Sequence, residues 1–210
     1  MPVLVEPERY LEILQPDRCP LCFLVQNYIQ GHMRSLLDEC ATDPITREDL
    51  FRSKGFCRRH AWSAVQQRQS LAMGIIYASL LAKGIEKLSP YRLWRAPKAK
   101  PCLLCESEEK CEQTFQKQFA LSWAHSEKLR EAFQTRGILC LPHLEGVLNQ
   151  KLDKPHRESL LEAGKKALEP LMKDLNEFLE KQDYHRSKEA SGKEWDAWIR
   201  AVRVVNGERE

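Results

Sequence analysis

Cys19-Pro20-Leu21-Cys22 is followed, after 34 intervening residues, by Cys57-Arg58-Arg59-His60. The pattern recurs as Cys102-Leu103-Leu104-Cys105 and Cys140-Leu141-Pro142-His143, each member 83 positions after its counterpart. Three thiolates and an imidazole form a Cys₃His set, a common way to close a tetrahedral zinc site. Two copies with identical internal spacing point to two metal sites, built from Cys19, Cys22, Cys57, His60, Cys102, Cys105, Cys140 and His143. Zinc, two ions per chain, is the expected metal. An iron–sulfur cluster is the alternative, because thiolates bind clusters and a histidine can replace a cysteine. Buried structural cysteines would not explain a histidine that recurs in register.

The duplication extends past the ligands. At the same offset Leu21 matches Leu104, Gln30 matches Gln113 and Gln67 matches Gln150. Further on the offset drops to 80, so that Ser79-Leu80-Leu81 matches Ser159-Leu160-Leu161 and Gly84 matches Gly164. The reading is an all-α fold of two tandem helical repeats, each stapled by one Cys₃His site and packed as one compact body. The repeats are assigned to residues 17–89 and 102–182. A Pro-rich, basic and aromatic connector covers 90–101, and a C-terminal tail covers 183–210.

Within repeat one, Pro20 heads an apolar stripe that ends near Cys40. Asp43-Pro44 punctuates the chain, a short helix covers Ile45–Ser53, Gly55 stops it, and a long helix is expected from Cys57 to Leu88. Within repeat two, helices are expected from Leu103 to Ala124, on to Thr135, from Cys140 to about Asp153, and from Arg157 to Gln182. Trp195, Trp198, Ile199 and Val202 form a short amphipathic helix, expected to dock back on the body. No alternating strand pattern is present.

Both ligand pairs begin helices, where free backbone N–H groups stabilise thiolates. A helix of about 20 residues, roughly 30 Å long, followed by a returning helix would let zinc staple the ends of a hairpin. The ligands are therefore assigned within each repeat. A crossed arrangement, pairing Cys19 and Cys22 with Cys140 and His143, stays open.

The alternative function is redox or sulfur chemistry by the same cysteines, through an iron–sulfur cluster or a reactive thiolate, whereas other chemistry finds little support. Thiol–disulfide exchange would need Cys-x-x-Cys beside a βαβ pattern. A zinc deaminase needs His-x-Glu before Pro-Cys-x-x-Cys, whereas here His143-Leu144-Glu145 comes after Pro101-Cys102-Leu103-Leu104-Cys105. With no Ser-His-Asp, paired-carboxylate or phosphate-loop motif, no catalytic residue is assigned and the reading leans away from an enzyme. Cys40 and Cys111 have no repeat partners and read as core or partly exposed thiols. His32, His125, His156 and His185 read as surface or capping residues. Arg58 and Arg59 could offset the negative charge of three thiolates around a dication.

The net charge of +3 is too small and dispersed to imply nucleic acid, although the connector mixes cations with aromatics in a way that could hold a strand. A protein partner is the expectation, with the oligomeric state left open. The apolar stretch Leu71–Ala82 is too short to span a bilayer. The start of the chain lacks signal-peptide character, so a cytoplasmic location with reduced thiols is expected.

The residues Cys-Pro-x-Cys and Gly55-Phe56-Cys57-Arg58-Arg59-His60 resemble a family of bacterial and archaeal proteins of unknown function. That family is similar in its duplicated helical build and its paired Cys-x-x-Cys and Cys-x-x-His motifs. The tail Phe178-Leu179-Glu180-Lys181-Gln182-Asp183-Tyr184, followed by Trp195 to Val202, resembles that family's ending. Repeat two departs from the motif, with Ile138-Leu139 in place of Gly-Phe. The resemblance implies metal sites and an all-helical fold but no activity.

Overall fold

Proline and short polar side chains set the helix starts. In a computed structural model, which describes residues 5–87, 101–182, 190 and 192–208, the described residues are helical and contain no strand, only an isolated bridge between Gln15 and Arg18. The helices are α1 (Pro7–Ile13), α2 (Pro20–Thr42), α3 (Pro44–Arg52), α4 (Arg58–Gln66), α5 (Ser70–Lys87), α6 (Leu103–His125), α7 (Glu127–Arg136), α8 (Leu141–Leu148), α9 (Lys154–Lys181) and α10 (Ala197–Asn206). A 3₁₀ turn, Lys193–Asp196, leads into α10. No helix is long and apolar enough to cross a membrane, among the described residues.

Local chemistry accounts for the boundaries. The Asp43 carboxylate accepts from the N–H groups of Ile45 and Thr46 at 3.2 and 2.9 Å, with Pro44 at the first helical position. Ser126 caps α7 by accepting from Leu129 N–H, and Asp153 caps α9 by accepting from His156 N–H. Gly55 closes α3 with φ of +84°, its N–H bonded to Leu50 C=O, and a Cβ there would sit 2.7 Å from Leu80 Cδ1.

One expected helix is two. The stretch from Cys57 to Leu88 breaks at Gln67–Gln69, where Arg68 adopts a left-handed φ of 58°. No glycine or proline marks the break. The repeat offset slips by three residues between Gln67 and Ser79, and a length change of that kind belongs in a connection. The helix α1, just before the first motif, was not expected at all.

The chain divides into two compact units, one of Met1–Gln26 with Glu112–Arg209, the other essentially Asn27–Cys111. The division falls inside α2 and α6. The first unit has an aromatic core: the Tyr10 ring meets Phe119 edge-on at 5.1 Å, and Trp123 meets Phe133 at 5.4 Å. Trp123 Nε1 donates to His156 C=O at 3.1 Å, so its polar edge is satisfied. In this unit α9 packs with α7, α8 and α10. The second unit is built on Met33, Leu36, Leu37, Leu50, Phe56 and Ala64, with α5 packed on α3 and α4. The connector expected at 90–101 lies outside the described residues except for Pro101, as do His185 and residues 183–189 of the tail, and the side chain of Cys40.

Candidate metal centres

Each Cys-x-x-Cys and each Cys-x-x-His stands at a helix start. Cys19 and Cys102 immediately precede α2 and α6, while Cys57 and Cys140 are the N-caps of α4 and α8, in extended conformation. The structure gathers the eight residues into two clusters. One is Cys19, Cys22, Cys140 and His143, inside the first unit. The other is Cys57, His60, Cys102 and Cys105, inside the second. The ligand atoms of each cluster lie within 4.8 Å of one another.

The assignment of ligands within each repeat is thereby corrected. Each Cys-x-x-Cys meets the Cys-x-x-His of the other repeat. The reason is length. The 23 residues of α2 span about 35 Å, whereas the 9 residues of α3 span about 13 Å. The chain therefore does not return to the start of α2 by the time it reaches Cys57. Instead α4 shares a core with the second half of α2, where Met33, Leu36 and Leu37 join Leu50, Phe56 and Ala64.

In the first cluster His143 Nδ1 lies 3.4, 3.3 and 3.1 Å from the sulfurs of Cys19, Cys22 and Cys140, and Cys22 Sγ lies 3.6 Å from Cys140 Sγ. In the second, His60 Nδ1 lies 3.5, 3.6 and 3.5 Å from the sulfurs of Cys57, Cys102 and Cys105, and Cys57 Sγ lies 3.6 Å from Cys105 Sγ. Bonds of about 2.3 Å to sulfur and 2.0 Å to nitrogen in a tetrahedron require ligand–ligand edges of roughly 3.5–3.8 Å. The spans of the second cluster, 3.5–3.6 Å, fall in that range and those of the first, 3.1–3.6 Å, run slightly shorter, so both clusters could hold a metal ion.

The outer nitrogens carry a second signal. His143 Nε2 and His60 Nε2 are buried without a hydrogen bond of good geometry. His143 Nε2 faces Glu112 Oε1 at 3.2 Å, and His60 Nε2 faces Glu108 Oε2 at 3.9 Å. A carboxylate behind the imidazole fixes the tautomer that leaves Nδ1 free to bind metal. Arg59 holds Glu108 through Nη1 and Nη2, with Nη1 2.9 Å from Oε1. Arg59 is therefore paired to a carboxylate behind the site, rather than standing free beside the thiolates.

Without a metal, the sulfurs compete for protons. Contacts from Cys140 and Cys19, against burial and aided by His143, hold Cys22 far below the ordinary thiol range. Burial, with Cys140 and Cys22 beside it, keeps Cys19 protonated. Burial opposes charge on His143, but Cys140, Cys22 and Glu112 outweigh it and raise the imidazole to about 11. In the second cluster burial, then Cys57 and Cys102, push Cys105 up to about 12. Burial would also raise Cys57, but the backbone N–H groups of His60 and Arg59 and the neighbouring sulfurs bring it down. Burial and Arg59 keep His60 below its usual value, hence neutral.

The two clusters differ in enclosure. All four residues of the first are buried, whereas Cys57 and Cys105 of the second are half-buried. The first is covered by the end of the chain. Glu208 N–H donates to Cys22 Sγ at 3.4 Å, and a Cβ at Gly207, whose φ is +76°, would sit 3.6 Å from the sulfurs of Cys22 and Cys140. Arg18 Nε binds Glu208 Oε2 at 3.0 Å, and Gln26 Nε2 donates to Glu208 C=O at 3.1 Å, tying this strap down.

The remaining candidates have ordinary places. Cys111 is buried, its thiol donating to Glu108 C=O. His156 contributes to the α9 cap and His125 is exposed at the end of α6. Glu108 is three positions after Cys105 on the same helix face, a spacing that could have flagged it. Nothing in the sequence marks Glu112 or the Gly207–Glu208 strap.

No solved structure matches the chain. It is 28% identical over 201 residues to an uncharacterized 23.9 kDa protein in the xynA 3' region of Caldicellulosiruptor sp. (strain Rt8B.4), an alignment covering 94% of this chain and 98% of that protein. A family profile matches twice, over residues 12–95 and 86–210, in keeping with the internal duplication. The two matches together span nearly all of the sequence, and the chain belongs to the Family of unknown function (DUF6062).

Proposed function

We propose that each Cys₃His cluster holds one zinc ion in a structural role, and that the protein is an interaction module rather than an enzyme. The observation that carries this reading is the closed donor set: three sulfurs and one imidazole nitrogen converge at single-ion spacing in each cluster. A catalytic zinc keeps a position open for water or substrate, whereas four protein ligands fill a tetrahedron. Because the ligands of each cluster come from opposite repeats, the metals would interlock repeats 17–89 and 102–182. Bound zinc would supply fixed cross-links and a charge sink for three thiolates. Reduced thiols are a requirement of this role, which fits a cytoplasmic setting.

Metal analysis of protein purified without oxygen, with its visible spectrum, tests the reading. About two zinc per chain and no absorbance near 400 nm are expected. A brown protein containing iron would replace zinc with an iron–sulfur cluster as the occupant.

A further inference from the structure

The amphipathic helix α10 docks through its small side chains and leaves a larger apolar stripe open. Its inward side carries the buried Ala197 and the half-buried Ala201, Val204 and Arg200, whose Nη1 and Nη2 bind Asp174 of α9 at 3.0 Å. The 3₁₀ turn before it is clamped by Lys181 Nζ on Glu194 at 2.8 Å. The opposite side carries Trp195, Trp198, Ile199, Val202 and Val205 at positions i, i+3, i+4, i+7 and i+10, and the described residues leave them between 38% and 62% exposed. The helix packs on α9 and α8, and the Trp195 ring meets Phe178 of α9 edge-on at 6.4 Å, yet the stripe as a whole stays partly open.

We propose that this stripe is a dimerisation face, which pairs antiparallel with the same helix of a second copy of this chain. Area and charge argue for that occupant. Two half-open tryptophans, each a side chain of about 150–250 Å², plus three aliphatic residues amount to on the order of 500 Å². That is near the upper limit of what a monomer exposes and somewhat below the roughly 800 Å² per partner of a standard interface, so the pairing is reversible. The charges flanking the stripe are self-complementary. In an antiparallel pair centred on Arg200, Trp195 stacks against Val205 of the second copy and Trp198 against its Val202. Asp196 then lies beside Arg203 of the second copy, and the reverse. A two-fold interface needs this property, since one patch must match itself. Within the chain Asp196 pairs with Arg200 at 2.8 Å and Arg203 with Glu208 at 3.6 Å, and in each pair the stripe-flanking member, Asp196 or Arg203, is exposed and open to a further partner.

This proposal names the partner of the interaction module proposed above. Its test reads association, while metal counting reads zinc, so the two can fail separately. Sedimentation of the full chain over a concentration range should show a monomer–dimer equilibrium in the micromolar range. Val202→Glu should raise the dissociation constant at least ~30-fold, the scale of a central contact. Asp196→Arg and Arg203→Asp should each weaken the dimer several-fold, and the two together should restore it. A monomer at all concentrations would overturn the proposal and assign the stripe to a different partner. A dimer indifferent to Val202→Glu, or a double exchange that fails to restore association, would overturn it equally.

Discussion

His143 Nδ1 lies 3.3 Å from the sulfur of Cys22, a residue 121 positions earlier in the chain. The nearest Cys-x-x-Cys upstream of His143 is that of Cys102 and Cys105, yet those sulfurs serve His60. The contact between Cys22 and His143 thus records how the two repeats exchange their motifs, and it governs what mutation should do.

Cys22→Ser and His143→Ala belong to one site, whereas Cys57→Ser belongs to the other. Each single change should remove about one of two metal ions and, because structural metal binding is coupled to folding, lower the melting temperature by roughly 10 °C or more. Combining Cys22→Ser with His143→Ala should cost little beyond either alone. Combining Cys22→Ser with Cys57→Ser should remove both ions, with near-additive loss. Metal content and melting of the five variants check this. Coupling of Cys22 to Cys57 instead would restore the within-repeat assignment.

Glu112 acts through His143. Glu112→Gln keeps the shape and removes the charge behind Nε2, 3.2 Å away. It should weaken metal binding in the first cluster by about 10–100-fold and leave the helical content unchanged, as chelator competition followed by circular dichroism would report. Unchanged affinity would make Glu112 a bystander.

Deleting the residues after Asn206 removes Gly207 and Glu208 from the sulfurs of Cys22 and Cys140. Metal in the first cluster should then exchange about tenfold faster or more, approaching the half-buried second cluster, because a backbone donor and a cover are lost together. Isotope exchange by mass spectrometry separates the two sites. Equal rates before and after deletion would contradict a covering role.

The Glu194 carboxyl is held down to about 2, chiefly by Lys181 and then by the Gly192 N–H at 2.7 Å. A depressed carboxyl pKa means that the folded state prefers the ionised form. This stabilisation is fully present above the ordinary value of 4.5 and is lost as pH falls towards 2. Glu194→Gln should therefore lower the melting temperature at neutral pH, and the gap to the parent protein should close on acidification. A gap that widens in acid would reverse the assigned sign.

Much of this was legible in the sequence. The eight Cys and His residues that gather into clusters, the helical class and most helix starts follow from local chemistry: a proline at Pro20 or Pro44, an N-cap at Asp43, and a spacing that puts Cys140 and His143 on one turn. Besides α1, Glu112 and the Gly207–Glu208 strap, three further features were not. Which Cys-x-x-Cys meets which Cys-x-x-His depends on where α3 delivers the chain, a long-range property that identical spacing cannot encode. The break at Arg68 uses a left-handed arginine without glycine or proline, so only the slip in repeat offset marked it. The orientation of α10 depends on the ion pairs Arg200–Asp174 and Lys181–Glu194, which turn Ala197, Ala201 and Val204 inward and leave the larger apolar residues outside.

X-ray absorption at the zinc edge, on anaerobically purified protein with its metal counted, bears most directly on the central claim. The account predicts two zinc ions per chain, each with an average shell of three sulfurs at about 2.3 Å and one nitrogen at about 2.0–2.1 Å. Fewer sulfurs with added light-atom ligands, or iron in place of zinc, would contradict it.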